Sequence, residues 1–361
     1  MTRDSKRGSW ECKGDGKIEH PLVENYGDKC NFSACSQTRP QIQTFSPWLL
    51  YGAIAGIGCL FIFAIWKIFR SPSLDRNRFF YGGSTAFEVI LDEGENQEKL
   101  TRLIARQLNV ENLHLLYRNP VPDTKPGSGT GIQLLLEGEL SFAHSSRPIR
   151  REEIKEAKER GVNLEQFPVA IDGIAIYVNP QIDVSRLTLT QVSKLFKGEI
   201  SNWRSLDSIT QAVKPVSLSF QTADIFDFFH RDVMGAQPFS SETIEVRNPT
   251  TAIRTVSSTP GAIGYASAAL VCGQVTVQTV ALENQQTEDF VEPCISDKVN
   301  VSAFSQGIYP IIRHLYVIIK NDNNAEESPE EKVGRAYIDL LKSPEGQTLL
   351  EQSGFAKIYG N

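Results

Sequence analysis

Gly127-Ser128-Gly129-Thr130-Gly131-Ile132 leads into an apolar run, Ile132 to Leu136, and the rest of the chain is read outward from that junction. A glycine- and hydroxyl-rich turn that opens a helix leaves the first backbone N–H groups without intrahelical partners, at the positive end of the helix dipole. Such an end is an anion site in waiting. The glycines let backbone approach a ligand closely, and Ser128 and Thr130 add uncharged donors. The loop has neither the Lys-Ser/Thr ending of a P-loop nor a clean Gly-x-Gly-x-x-Gly spacing, so neither nucleotide motif fits. Taken alone, a Gly/Ser turn is ordinary chain punctuation.

Its neighbours give it meaning. After the short helix come Gly138-Glu139-Leu140-Ser141-Phe142-Ala143 and then His144-Ser145-Ser146-Arg147-Pro148. In that order these segments resemble the phosphate-binding protein of bacterial phosphate ABC transporters. Further stretches are similar to the same family: Gly82-Gly83-Ser84-Thr85, Leu187-Thr188-Leu189-Thr190-Gln191 to Gly198-Glu199-Ile200-Ser201-Asn202-Trp203, and Thr259-Pro260-Gly261-Ala262-Ile263-Gly264-Tyr265-Ala266. Val169-Ala170-Ile171-Asp172-Gly173-Ile174 and Tyr309-Pro310-Ile311-Ile312-Arg313 fit as well, so the resemblance runs from about residue 79 to residue 361.

The resemblance implies an α/β, two-lobed periplasmic-binding-protein-like fold of type II that closes on its ligand like a hinge. Lobe 1 would comprise 79–167 and 309–361, and lobe 2 would comprise 168–308. It further implies a dehydrated phosphate held by hydroxyls, helix N-terminal N–H groups, an arginine and an aspartate. Carried over residue by residue, the contacts fall on Thr85, the backbone of Ala86 and Ser128 in the first lobe, and on Gln221 and Thr222 in the second. Thr85 serves equally well as a helix N-cap before Ala86.

Both lobes depart from the family. Ser146 stands where the aspartate belongs; a carboxylate accepts a proton from a protonated oxyanion and repels a bare one, whereas a serine donates or accepts, which leaves selectivity open. In Val216-Ser217-Leu218-Ser219-Phe220-Gln221-Thr222-Ala223-Asp224-Ile225-Phe226 the threonine and the later aromatic are kept, but the arginine is gone, and Phe220 and Gln221 replace the family's serine and glycine. Lys214, Arg147 and Arg247 are the candidates to restore positive charge, although exposed positions are the rule for such residues.

Bulk properties agree with a binding protein. At 361 residues the chain exceeds one average domain, and 40% hydrophobic with 22% charged residues is ordinary for a globular protein. A net charge of -6 without a basic stripe argues against nucleic acid as a partner. Catalysis has little to stand on. The histidines at 20, 114, 144, 230 and 314 form no His-Glu-x-x-His array, and no Gly-x-Ser-x-Gly elbow occurs. His144 beside Ser145 and Ser146 lacks an evident third group, and Asp172 and Asp224 read as structural or capping carboxylates.

The N-terminal part is different in kind. Residues 1–46 are polar and carry Cys12, His20, Cys30 and Cys35, a ligand set that tetrahedral zinc accepts, although no Cys-x-x-Cys pair is present. The segment faintly resembles small zinc fingers of the Trp-x-Cys type; a metal-free remnant is the bland alternative. From Pro40 to Trp66 there is no charge, and Trp48–Trp66 is long enough as a helix to cross a bilayer, so 47–69 is read as a transmembrane anchor and 70–78 as a tether. The run starts late and no small-x-small site follows, which argues against a cleaved signal peptide. Lys67, Arg70, Arg76 and Arg78 follow the span, so the positive-inside rule alone would put the large domain inside. The family resemblance points the other way, to a single-pass protein of the bacterial inner membrane whose large domain faces the periplasm or exterior. Cys272 and Cys294 there would be either a disulfide or two buried thiols.

The expected function is thus a membrane-anchored solute-binding protein for phosphate or a related oxyanion, with an ABC permease or a sensor as partner. The alternative is a binding-protein-like ectodomain that has lost its ligand and acts as an interaction or signalling module.

Overall fold

The computed structural model describes residues 10–14, 19–25, 77–91, 94–118, 126–206, 209–219, 224–321 and 326–358. The chain divides into two compact units, Met1–Ser73 and Leu74–Asn361. The first unit shows a hairpin, β1 (Trp10–Gly14) and β2 (Glu19–Asn25), paired antiparallel with Cys12 opposite Val23. Cys12 lies on β1 and His20 on β2, while Cys30 and Cys35 fall outside the described residues. Among the described residues no group of three or more His, Cys, Asp or Glu side chains could hold a metal, and no helix is long and apolar enough to cross a membrane. The expected span, 47–69, lies outside them.

The second unit is built on one long strand that pairs with strands of both of its halves. The apolar, β-branched run Val169–Val178 has no polar face, so it must be covered on both sides. It forms the buried part of β6 (Asn163–Val178). One end of β6 pairs antiparallel with β15 (Ile312–Asn321), from Asn163 opposite Asn321 to Gly173 opposite Ile312. Its other end lies between β10 (Ala262–Ser267) and β11 (Gln278–Glu283).

On the β15 side the sheet continues through β5 (Phe142–Ser145) and β3 (Arg78–Gly83) to β4 (His114–Tyr117); on the other it continues through β10 and β8 (Lys214–Leu218) to β9 (Ile244–Val246). Two-residue strands β7 (Arg186–Leu187) and β12 (Phe290–Val291) pair with β11. Strand periodicity then sorts the core. Val317, Ile319 and Phe142 face one way, toward Tyr81, Ile104 and Tyr337, while Ile318 and Ala143 face the other, toward Ile132 and Leu135. Helices cover both faces. The far half has its own core around Trp203, Phe196, Tyr265 and Phe229.

Helix ends follow the local chemistry. Ser328 accepts from the Glu331 N–H to open the helix Pro329–Lys342, and Ser343 accepts from the Gly346 N–H to open Pro344–Gln352. The return strand starts at Ile312. Pro310 has no N–H to give a ladder, and the buried Tyr309 hydroxyl instead donates to the Ile174 carbonyl at 3.0 Å.

Cys272 and Cys294 form a disulfide that ties the end of the helix Ala268–Val271 to the hairpin of β13 (Cys294–Ile295) and β14 (Lys298–Val299). With 22 residues of separation, the cross-link removes about 3 kcal/mol of loop entropy from the unfolded chain. The double Cys272→Ser, Cys294→Ser variant is expected to lose about that much, read as a lower denaturant midpoint, and reductant should move only the wild-type chain.

His144 on β5 is fully buried, stacked on Phe87 at 3.9 Å, with Nε2 at 3.1 Å from the Tyr337 hydroxyl and Nδ1 without a partner. Burial lowers its pKa from 6.5 to about 3. Between those values the unfolded chain takes up a proton that the folded chain refuses, so stability rises with pH in that window and is lost as pH falls. His144→Phe should flatten that dependence by up to about 1.4 kcal/mol per pH unit. Thermal midpoints of the two chains at pH 7 and pH 4.5 test this; parallel shifts would contradict it.

Candidate functional site

The glycine loop forms the helix Ser128–Leu136, and Gly131 sets where that helix sits. A Cβ there would stand 2.6 Å from the Cα of Gly83 at the end of β3, so only glycine lets helix and strand end meet this closely. The contact leaves Ser128, at the first turn, fully buried.

Its donors converge on a single atom. The Ser128 N–H and the Ser128 hydroxyl each donate to Asp224 Oδ2 at 2.7 Å, and the Ser146 hydroxyl donates to the same oxygen at 3.3 Å. The Ser146 N–H donates to Ser128 Oγ at 3.0 Å, which fixes the two serines relative to each other. Asp224 is the first residue of the helix Asp224–Phe228, which follows β8 in the far half of the sheet. Its carboxylate therefore reaches across from one half of the domain to the helix end of the other.

Next to this cluster lies a buried ion pair. Asp172 on β6 stands directly opposite Arg313 on β15, and Arg313 Nε donates to Asp172 Oδ2 at 2.9 Å. Asp172 Oδ1 accepts from the Ser267 hydroxyl at 2.6 Å, and Arg313 Nη1 donates to Ser146 Oγ at 3.4 Å. Ser267, Asp172, Arg313, Ser146, Ser128 and Asp224 thus make one polar chain through the region where β6 passes between the halves. Both charges are removed from water, with side-chain exposures of 5% and 0%, so the pair persists only because each partner satisfies the other.

A cavity of about 140 Å³ opens beside this chain, lined by Thr85, Ala86, Asp224, Arg247, Ser267 and Arg313 among others. Pockets for drug-sized molecules run to about 300–1,000 Å³, so this one suits a small ion. A larger and more open cavity of about 720 Å³, beside Gln352 and Gly354, includes none of the polar chain.

The structure brings four expected residues to one place. Thr85 and Ala86 line the cavity, and Ser128 and Ser146 lie behind Asp224. Gln221 and Thr222 fall outside the described residues. The N-cap role considered for Thr85 belongs to Ser84, whose Oγ accepts from the Ala86 N–H at 3.4 Å.

Among the three candidate cations, Arg147 is engaged by Glu153 through two bonds of 2.9 and 2.6 Å, and Lys214 by Glu242 at 2.6 Å. Arg247 is exposed on the cavity rim. The Ser/His pair does not form: His144 meets Tyr337, and the Ser145 hydroxyl donates to the Arg147 carbonyl. Sequence reasoning missed Arg313, the buried cation of the site, and gave Asp224 only a local role. A lone arginine in the apolar stretch Ile311 to Ile319 was the available signal.

Residues 107–345 match the profile of a PBP superfamily domain. The phosphate-binding protein of Staphylococcus epidermidis is 31% identical over 141 residues, which span 38% of this chain and 43% of that relative's length. The phosphate-binding protein of Pseudomonas aeruginosa is 26% identical over 241 residues, 63% of this chain and 71% of the relative. A substrate-binding protein of Clostridium perfringens, solved with bound phosphate, superposes with a TM-score of 0.59 at 22% identity, covering 78% of this chain and all of that one. An ABC-type phosphate transport receptor of Vibrio cholerae superposes at 0.57, with 20% identity and 77% and 99% coverage. At these identities the structural likeness speaks for the fold.

Proposed function

Because the chain belongs to the PBP superfamily, we propose that it is a solute-binding protein that closes on phosphate or a related oxyanion and presents it to an ABC transporter or a sensor. The observation that carries this reading is the seating of Asp224: a backbone N–H at a helix start and two serine hydroxyls close on one carboxylate oxygen. A carboxylate is the chain's own oxyanion, and a cradle that holds one with these bonds has the donors a free oxyanion needs. Arg313 and Arg247 bring positive charge to the adjoining cavity, which is of ionic size. The relatives named as phosphate-binding proteins and as a phosphate transport receptor support the same ligand class.

Thr85, Ala86, Ser128 and Ser146 from one side, with Gln221 and Thr222 from the other, form the proposed contact set. The proposal includes a binding domain at 79–361 with lobes at 79–167 plus 309–361 and at 168–308, held at the membrane by a span at 47–69. The Cys272–Cys294 disulfide supports a periplasmic or extracellular place for that domain, since such bonds persist in oxidising compartments. Protease protection in intact cells and spheroplasts tests the topology, and metal analysis of the purified chain tests zinc at Cys12, His20, Cys30 and Cys35.

Calorimetric titration of the purified chain with phosphate, sulfate and molybdate tests the function. Phosphate is expected to bind, and Ser128→Ala to weaken it roughly 10- to 100-fold, since hydrogen bonds to charged groups contribute about 1.5–3 kcal/mol. Absence of heat with all three anions would favour the second reading, a ligand-free interaction module. Occupation of the cradle by Asp224 is the observation on that side.

A further inference from the structure

Resting on the anion-binding reading, we infer that Asp224 sets the affinity of this site as a built-in competitor, a tethered carboxylate that fills the oxyanion seat and clasps the two halves together until a free anion displaces it. Three hydrogen bonds to one oxygen are more than a helix-capping carboxylate requires, and none of them is to Asp224's own helix. The seat is shaped for the group. Gly127 has φ +150°, and a Cβ on it would stand 2.5 Å from Asp224 Oδ1, so the carboxylate rests where a side chain at 127 would be.

A competitor must also have somewhere to go, and the cavity lined by Arg313 and Arg247 borders Asp224 directly. Its lining offers an anion two guanidinium groups, with Glu88 as the other acidic group beside Asp224. Both occupants cannot hold the seat, because its three donors each have one hydrogen to give and all three are spent on Asp224 Oδ2, so an anion that takes them displaces the carboxylate. Anion binding and release of Asp224 are therefore one event. The clasp also gives the ligand-free chain a closed form, and removing the carboxylate removes both the obstacle and the contact.

Two measurements on the full chain test this, with inorganic phosphate as the probe. In hydrogen exchange, the Ser128 amide of wild type should be protected without phosphate, lose that protection in Asp224→Ala, and regain it when phosphate is added to the variant. In calorimetry, Asp224→Ala should bind phosphate at least tenfold more tightly than wild type. Asp224→Asn, which keeps the size but loses the charge, should show a smaller gain and guards against a folding defect in the alanine variant.

Weaker phosphate binding by both variants would overturn the inference alone, because Asp224 would then be a ligand contact. Equal exchange of the Ser128 amide in wild type and Asp224→Ala would overturn it by showing the clasp unpopulated. If no chain binds phosphate while the wild-type amide stays protected, the anion-binding reading fails and the competitor falls with it.

Discussion

Replacing Arg313 with alanine is expected to lower stability by about 3–5 kcal/mol and to abolish oxyanion binding, the largest combined effect of any single change in this domain. The stability loss follows from what is left behind. Asp172 is fully buried, and without the guanidinium its carboxylate keeps only the Ser267 hydroxyl at 2.6 Å. An uncompensated charge in that place costs far more than a lost surface pair would. The binding loss has a separate origin: the Arg313 Nη1 bond to Ser146 is lost, and the cavity loses its buried cation.

The two losses can be separated. Arg313→Met together with Asp172→Leu removes both charges and leaves apolar volume, which in buried pairs is often neutral or stabilising. That double variant should recover most of the denaturant midpoint yet bind no phosphate. Phosphate binding by the double variant would show that the guanidinium is a structural strut only.

The fold was legible in the sequence wherever one residue type had one physical use. The run ending at Val178, apolar but for Asp172, became the strand shared by both halves, and Ser328-Pro329 and Ser343-Pro344 opened helices as N-cap and first-turn pairs do. The serines of the cradle were legible for the same reason: Ser128 follows a glycine at a helix start, and Ser146 follows a short buried strand. The rest was hidden by distance along the chain. Arg313 meets Asp172 across 141 residues, and Asp224 meets Ser128 across 96, so no local pattern couples them.

Read locally, Asp224 is an acidic residue at a helix start, a satisfied assignment that stops the search. Arg313 carries no local sign of this role, because the resemblance places the family's arginine near Phe220, in the other half of the domain. Charge can be delivered to one point by strands far apart in sequence. The cation here arrives on β15, in register with its counter-ion on β6, so both belong to the strand pair beside the point where β6 passes into the other half rather than to either half's helices.

That placement makes the mirror-image change equally informative. Asp172→Asn should also lower stability by about 3–5 kcal/mol in anion-free buffer, since it leaves a guanidinium that is 6% exposed without its counter-charge. Unlike the arginine variant, it keeps the cavity's buried cation and leaves it without a negative partner. A bound phosphate would then supply the charge that Asp172 gave, so the variant should gain more stability from phosphate than wild type does.

If its affinity rises a hundredfold, phosphate at the wild-type dissociation constant stabilises the variant by about 2.7 kcal/mol, against about 0.4 kcal/mol for wild type. Thermal melts of both chains across a phosphate series read this directly. A variant whose midpoint stays low and flat as phosphate rises would mean that the Arg313–Asp172 pair braces the two strands and takes no part in holding the anion. A steep recovery toward the wild-type midpoint would place the guanidinium in the ligand's coordination shell.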